Sequence, residues 1–409
     1  MNNSEKMLTC LEQQDLHRAI KYFQRALETD SDEVLLDLAV YLESIGFLPQ
    51  AKEIYLRLQE NYPELAIQLA QIANEDGLID EAFGYLELIT PDSPAYLEAL
   101  LVKADLYQSE GLADVAREKL LEASHLTDEP VILFGLAELD MELQEYKEAI
   151  QYYAQLDNRE IYEWTGISTY QRIGLAYASL GKFEVAIEFF EKSVELAYDD
   201  QTVFELATLL LDLEDYQKSA LYFKQLDAMN PEFEGYEYAY AKALHGEHQL
   251  TEAREMIAKG LAKNEYDPAL LLLASQYAYE DHDVKAAEEY LLQAKSNIDD
   301  ENEVVLRLSN LYLEQERYEE AVRLYSEELD HVLAIWNIAK AYQALERDTE
   351  ALALFEQLQQ DLAENPEFLA DYIELLRQLG RVQEARNLAS HYLHLVPDDL
   401  LIQEFYNQG

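Results

Sequence analysis

Apolar residues recur along this chain at helical spacing, and the helical stretches themselves recur with a longer period. A small residue marks each recurrence: Ala19, Ala51, Ala82, Ala116, Ala149, Ala186, Ser219, Ala253, Ala287, Ala321, Ala351 and Ala385. Successive anchors lie 30 to 37 residues apart, most often 34, which is room for two amphipathic helices and two turns. Twelve residues before most anchors stands a second small residue, such as Ala39, Ala70, Gly174, Ala241 or Ser309. Two helices approach closely only where side chains are small, so this pair predicts a helix hairpin. Larger fillers stand nine before (Leu42, Tyr107, Tyr312) and four after (Phe23, Tyr55, Phe190, Phe355). Gly46, Gly77, Gly111, Gly181 and Gly380 fall five before their anchors, where the chain must turn out of the first helix. Pro63, Pro231 and Pro397 fall twelve after theirs, where a proline ends the second helix.

Segments such as Leu175-Ala176-Tyr177 with Gly181-Lys182-Phe183, followed by Ala186-Ile187-Glu188-Phe189-Phe190, resemble the tetratricopeptide repeat, and the resemblance runs through the whole chain. It implies an all-α, right-handed superhelical solenoid of about twelve helix-turn-helix repeats. The first helix of each pair would line a concave groove that in this family commonly holds a peptide or a partner helix. The overall character is similar to that of large, acidic repeat proteins of low-GC Gram-positive bacteria.

Length fits this reading, because a solenoid core grows along its axis and 409 residues need not divide into globular domains. One solenoid over 1–409 is expected. The longest spacing, between Ala149 and Ala186, contains Asp157 to Gly166 with Trp164, and would divide an N-terminal arm, 1–157, from a C-terminal arm, 166–409. That stretch reads either as a longer connection with Trp164 packed locally or as a flexion point or contact loop. The shortest spacing, near Asp330 and His331, should tighten one joint. Residues 398–407 are expected to form a helix that caps the end of the stack.

Charge narrows the partners. The net charge of −52, from 82 acidic and 30 basic residues, repels nucleic acid and anionic membrane surfaces, whose recognition needs clustered Lys and Arg. Protein or peptide partners, basic or amphipathic, are expected; the acidic faces also keep a long solenoid soluble. The single cysteine, Cys10, falls at a filler position nine before Ala19, which predicts core packing and fits a reducing, cytoplasmic setting. No apolar run approaches a membrane span or a secretory signal. Oligomeric state is not legible.

The resemblance places the groove on residues fifteen, eleven and eight before each anchor. Fifteen before gives a mostly apolar row that includes Phe134, Gln171, Phe204, Tyr238 and Trp336; eleven before gives a polar row that includes Lys242, Gln276, Asn310 and Lys340. An apolar row beside a polar one suits an extended peptide or an amphipathic helix. These nine residues are the expected ligand contacts, with Phe134, Phe204, Tyr238 and Trp336 as anchors, unless such side chains pack between neighbouring first helices instead. The clamp by which chaperone-binding members hold a C-terminal carboxylate needs Lys and Asn four apart on one first helix. Leu306 stands four before Asn310 and Tyr238 four before Lys242, so that pattern is missing.

Catalytic chemistry is not in evidence. His245 with His248, and His391 with His394, are three apart but lack a third placed ligand, and Asp299 to Glu303 lacks the glycine and spacing of a calcium loop. No phosphate loop, nucleophile elbow or zinc motif occurs, so neither cofactor nor metal is expected. The sequence therefore points to a non-catalytic scaffold or adaptor that binds a peptide or helical segment in its groove. The alternative is a peptide-responsive sensor acting through a separate output partner.

Overall fold

The computed structural model describes residues 2–407, which are helical without strands. The helices pair as the spacing predicts. Repeat one is Asn3–Glu12 with Leu16–Thr29; repeat six is Thr169–Ser179 with Phe183–Leu196; repeat twelve is Pro366–Gln378 with Val382–Leu395. Each anchor sits early in a second helix. The described residues thus form an α-solenoid of twelve hairpins, followed by a helix, Leu400–Asn407, that buries Ile402 and packs on the last repeat.

Close contact between small residues holds the hairpins together in all repeats but the first and last, where Met7 and Ile373 take the earlier position. All twelve anchors are at most 1% exposed, and the small residues twelve before them are buried. Two details show how tight the approach is. A Cβ added to Gly174 would stand 2.9 Å from the Phe190 ring. Where the anchor is Ser219, its hydroxyl donates to the carbonyl of Ala207, twelve residues earlier, at 2.8 Å, so the buried polar atom is satisfied. Tyr55, Tyr153, Phe190, Phe223 and Phe355, four after their anchors, are among the largest fully buried side chains. Cys10 is buried with Met7 and Phe23 in the core of the first repeats, as its register predicts.

Backbone conformation five before the anchor is the same in every repeat. The five glycines there, Gly46, Gly77, Gly111, Gly181 and Gly380, have φ between 70° and 78°. In the other seven repeats the position is held by Gln14, Gln144, Glu214, His248, His282, Glu316 and Glu346, with φ between 56° and 63°. Space is not the reason for glycine, since a Cβ on those five would meet nothing within 4 Å. The left-handed turn itself is what the hairpin demands.

The chain forms two compact units, Met1–Thr202 and Val203–Gly409, and the boundary falls within the first helix of repeat seven. The first unit holds the longest spacing. Residues 157–166 form an inserted helix, Asn158–Thr165, that belongs to no hairpin. Asp157 caps it, Gly166 ends it with φ 71°, and the Asn158 side-chain oxygen accepts from the hydroxyls of Ser168 and Thr169 at 3.1 Å each. Ile161 is buried beneath it, whereas Trp164 is 58% exposed, so local packing of that tryptophan is not realised. In the second unit the shortest spacing has a simple cause. The second helix of repeat ten is cut to Tyr318–Val322, and Asn302 bonds Asp330 across the shortened joint. No helix among the described residues is long and apolar enough to cross a membrane.

The turn geometry gives a stability prediction. Glu316 carries both the left-handed strain and a negative charge at a helix C-terminus, where the dipole disfavours it. Glu316→Gly is expected to stabilise the protein by about 0.5–1 kcal/mol, and Gly181→Ala to destabilise it by a similar amount or more. Chemical denaturation of the two variants beside the parent chain checks both signs; a loss of stability in Glu316→Gly would refute the argument.

Candidate functional site

The first helices of repeats eight, nine and ten, Tyr236–Gly246, Pro268–Glu280 and Asn302–Glu314, stand side by side in the second unit and carry the two rows expected to line a groove. Two cavities open between them. One, of about 400 Å³, lies between the first helices of repeats nine and ten and reaches Ala287 and Leu291 of the second helix behind them. Leu311 completes its apolar lining, while Gln276, Asn310, Arg307 and Glu314 supply its polar atoms. The other, of about 440 Å³, lies between repeats seven, eight and nine and is lined by Tyr238, Lys242 and, again, Gln276. Gln276 is the wall the two share.

Of the nine residues singled out from the sequence, four therefore line these cavities: Tyr238, Lys242, Gln276 and Asn310. Lys242 Nζ lies 5.6 Å from the centre of the Tyr238 ring, so the cation sits on the aromatic face one helical turn away. The remaining aromatics are engaged in packing. Trp336 is 7% exposed, meets Phe368 edge-on at 5.8 Å, and donates its indole N–H to Asp371 at 3.1 Å. Lys340 covers its outer face at 4.4 Å. Burial pushes the Asp371 carboxyl above the usual aspartate range, against the pull of Lys340 and the indole N–H. Phe204, half-buried, packs on Phe223 and Phe233 at 6.1 and 5.2 Å. In the first unit Phe134 packs on Tyr153 at 6.2 Å, and Gln171 is a half-buried residue whose backbone N–H is capped by Ser168. That unit has its own cavity, of about 420 Å³, between Leu36, Val40 and Gln71.

Four pairs of successive first helices are joined at a polar seam that the sequence pattern did not reveal. The residue eight before one anchor bonds the residue seven before the next: Gln108 with Glu142 at 3.0 Å, His245 with Glu280 at 2.6 Å, Tyr279 with Glu314 at 2.7 Å, and Gln343 with Gln378 at 3.4 Å. Residue type changes from repeat to repeat along this seam, so no motif marks it. Asn310 takes part in a neighbouring bond, accepting from Asn337 at 2.6 Å. Although burial opposes it, donation from Gln276 and contact with His245 hold the Glu280 carboxyl below the usual glutamate range.

The histidine pairs do not converge on a metal. His245 is stacked on Tyr277 at 4.2 Å, while His248 occupies the left-handed turn. His391 and His394 bond separate backbone carbonyls, of Ala363 and Ser390. Among the described residues no group of three or more His, Cys, Asp or Glu is placed to hold a metal ion. Asp300 accepts from the Asn302 backbone N–H at 3.0 Å, so the acidic run at 299–303 serves a helix start.

Three family models match parts of the chain: YpiA-like tetratricopeptide repeats at residues 108–161, a tetratricopeptide repeat at 167–200, and YpiA-like C-terminal tetratricopeptide repeats at 333–399. The TPR repeat-containing protein YpiA of Bacillus subtilis (strain 168) is 29% identical over 360 residues, 86% of this chain and 84% of that protein. It agrees with the Gram-positive character expected from the sequence. Tetratricopeptide repeat protein 21A of Mus musculus is 29% identical over 202 residues, 47% of this chain but 15% of the mouse protein. Among solved structures, a chain of Naa15/Naa10 bound to HypK-THB aligns with a TM-score of 0.42 and 14% identity over 91% of this chain and 64% of that one.

Two measurements check the site as described. The only two tryptophans differ sharply in exposure, so acrylamide, a neutral quencher that the acidic surface does not repel, should quench Trp164 and spare Trp336; a Trp164→Phe variant is expected to show blue-shifted, quencher-resistant emission. Glu280→Gln should lower stability at neutral pH by less than about 1 kcal/mol, as befits an exposed pair. Because the folded-state pKa of Glu280 is depressed, its contribution is present above the unfolded pKa and lost as pH falls through the folded one. The two proteins should therefore converge in stability under acid, and a gap that widens there would contradict the assignment.

Proposed function

The chain belongs to the tetratricopeptide-repeat family, and from that premise we propose that it is a non-catalytic adaptor that holds a segment of a partner protein in the groove of its second unit. Repeats of this kind generally mediate protein–protein interaction. The observation that carries the specific reading is the apolar cavity between repeats nine and ten, with an exposed amide on each side of its mouth. Ala287, Leu291 and Leu311 offer a place for one bulky apolar side chain. Gln276 and Asn310, at the same register on adjacent first helices, are positioned to bond the backbone on either side of it. An apolar anchor supplies affinity and the amides supply register, the division of labour usual in peptide recognition. The buried lone cysteine supports a reducing, cytoplasmic setting for the interaction.

Asn310→Trp tests this without entering the core, because Asn310 is exposed and Asn337 keeps its second bond to Ser309 at 3.1 Å. The indole should cover the mouth, leave the helical circular dichroism unchanged, and reduce the partner captured from native cytosol by about tenfold or more. Equal capture by the variant and the parent chain would rule the cavity out.

A further inference from the structure

The second cavity differs in chemistry from the first. Three tyrosines line it, Tyr216, Tyr238 and Tyr277, together with the carboxylates of Asp212 and Glu214. Both carboxylates are exposed, and neither side chain has a hydrogen bond or ion pair among the described residues. Two cationic groups also line the cavity, each in contact with one of its aromatic rings. Lys242 lies over Tyr238, and His245 is held between Glu280 and the Tyr277 ring. The lining is also fixed in place. The Tyr216 ring lies so close to Gly246 that a Cβ there would come within 2.3 Å of it, and Glu214 is set by the left-handed turn with φ 61°.

The half-buried Tyr216 ring beside two unpaired carboxylates forms a recognition site for a cation. We infer that this cavity takes an arginine side chain of the bound segment, while the adjoining cavity takes its bulky apolar side chain across Gln276. The groove then selects a cationic, apolar-anchored peptide segment rather than any amphipathic one. Arginine fits better than lysine. Its planar guanidinium stacks on a tyrosine face and presents several N–H donors, enough to reach both carboxylates, whereas an ammonium is a compact, strongly hydrated point charge. The chain's charge of −52 favours approach of such a segment, but these two carboxylates are what would hold it. The inference rests on the groove reading above and adds the chemistry of the occupant.

Selection of short random peptides displayed against the full-length chain at near-physiological salt tests it. Peptides carrying arginine and a Leu, Phe or Trp at fixed spacing are expected to be enriched. A selected peptide should bind the Asp212→Asn/Glu214→Gln variant about tenfold more weakly, replacing its arginine with glutamine should cost the parent chain the same factor, and the two changes together should cost little more. Glu60→Gln/Glu64→Gln removes the same charge from exposed positions in the first unit and should leave affinity unchanged. If that control weakens binding equally, or if arginine is not enriched, the arginine site is wrong while the groove reading stands. If the selected peptides bind Asn310→Trp as well as they bind the parent chain, or if none is enriched, the groove reading fails and the inference with it.

Discussion

Ten of the twelve hairpins depend on one contact, in which the small residue that opens the second helix lies against the small residue twelve positions earlier on the first; in the first and last repeats Met7 and Ile373 stand there instead. With only a methyl, a hydroxymethyl or a hydrogen at each side, the two helix backbones come close enough for dispersion contacts along their length and exclude water from the seam. The large aromatics four after the anchors then fill the space toward the neighbouring hairpin. Substitution of either small residue by a larger one would force apart two helices rather than perturb one side chain, which is why the period survives so much variation elsewhere. Even the serine at position 219 keeps the contact, because its hydroxyl finds a carbonyl acceptor on the facing helix.

That contact explains why the fold was legible. A constraint set by size, repeated at fixed register, leaves a signature in residue type. The hairpins and the buried Cys10 follow from it. The turns were only half legible for an equally physical reason. Five glycines announced a left-handed residue, yet seven other repeats hold the same conformation with Gln, Glu or His. A left-handed residue costs about 1–2 kcal/mol relative to right-handed backbone, which a well-packed hairpin absorbs. Composition at a turn therefore understates how regular its geometry is. The insertion at 157–166 was visible as extra length, but its helical form and exposed Trp164 depend on a cap, a staple from Asn158 and a terminal glycine that act only in three dimensions.

The groove was harder to read, because the apolar row fifteen before each anchor serves two purposes. Between stacked first helices an aromatic side chain either faces the groove or fills the joint, and neighbouring residues in space decide which. Trp336 and Phe204 fill joints because Phe368, Phe223 and Phe233 are there to receive them. Between repeats nine and ten Leu272 and Leu306 hold the row, the lining aromatic, Tyr279, is tied to Glu314, and the space stays open to Ala287 and Leu291. Such openings are set by what is missing from the opposite wall, which no single row of a sequence displays. The polar row is easier, since an exposed amide or lysine on a first helix keeps polar atoms at the surface, and Lys242, Gln276 and Asn310 all line cavities.

Screening decides how much of the acidic surface bears on recognition. At physiological ionic strength the Debye length is about 8 Å, so carboxylates spread over twelve hairpins act on a ligand mainly as a long-range bias on its approach. Once the ligand is seated, only charges within its immediate reach discriminate, and partially desolvated ones discriminate most. Two carboxylates on these first helices are already committed: Glu280 to Gln276 and His245, and Glu314 to Tyr279. Each of those bonds ties one first helix more firmly or joins it to the next, so a ligand that broke one would loosen the wall it binds. Asp212 and Glu214 carry no such duty. A cation can pair with them without dismantling the seam, and this difference between structural and available carboxylates, rather than the total charge, is what gives the second cavity a chemical preference.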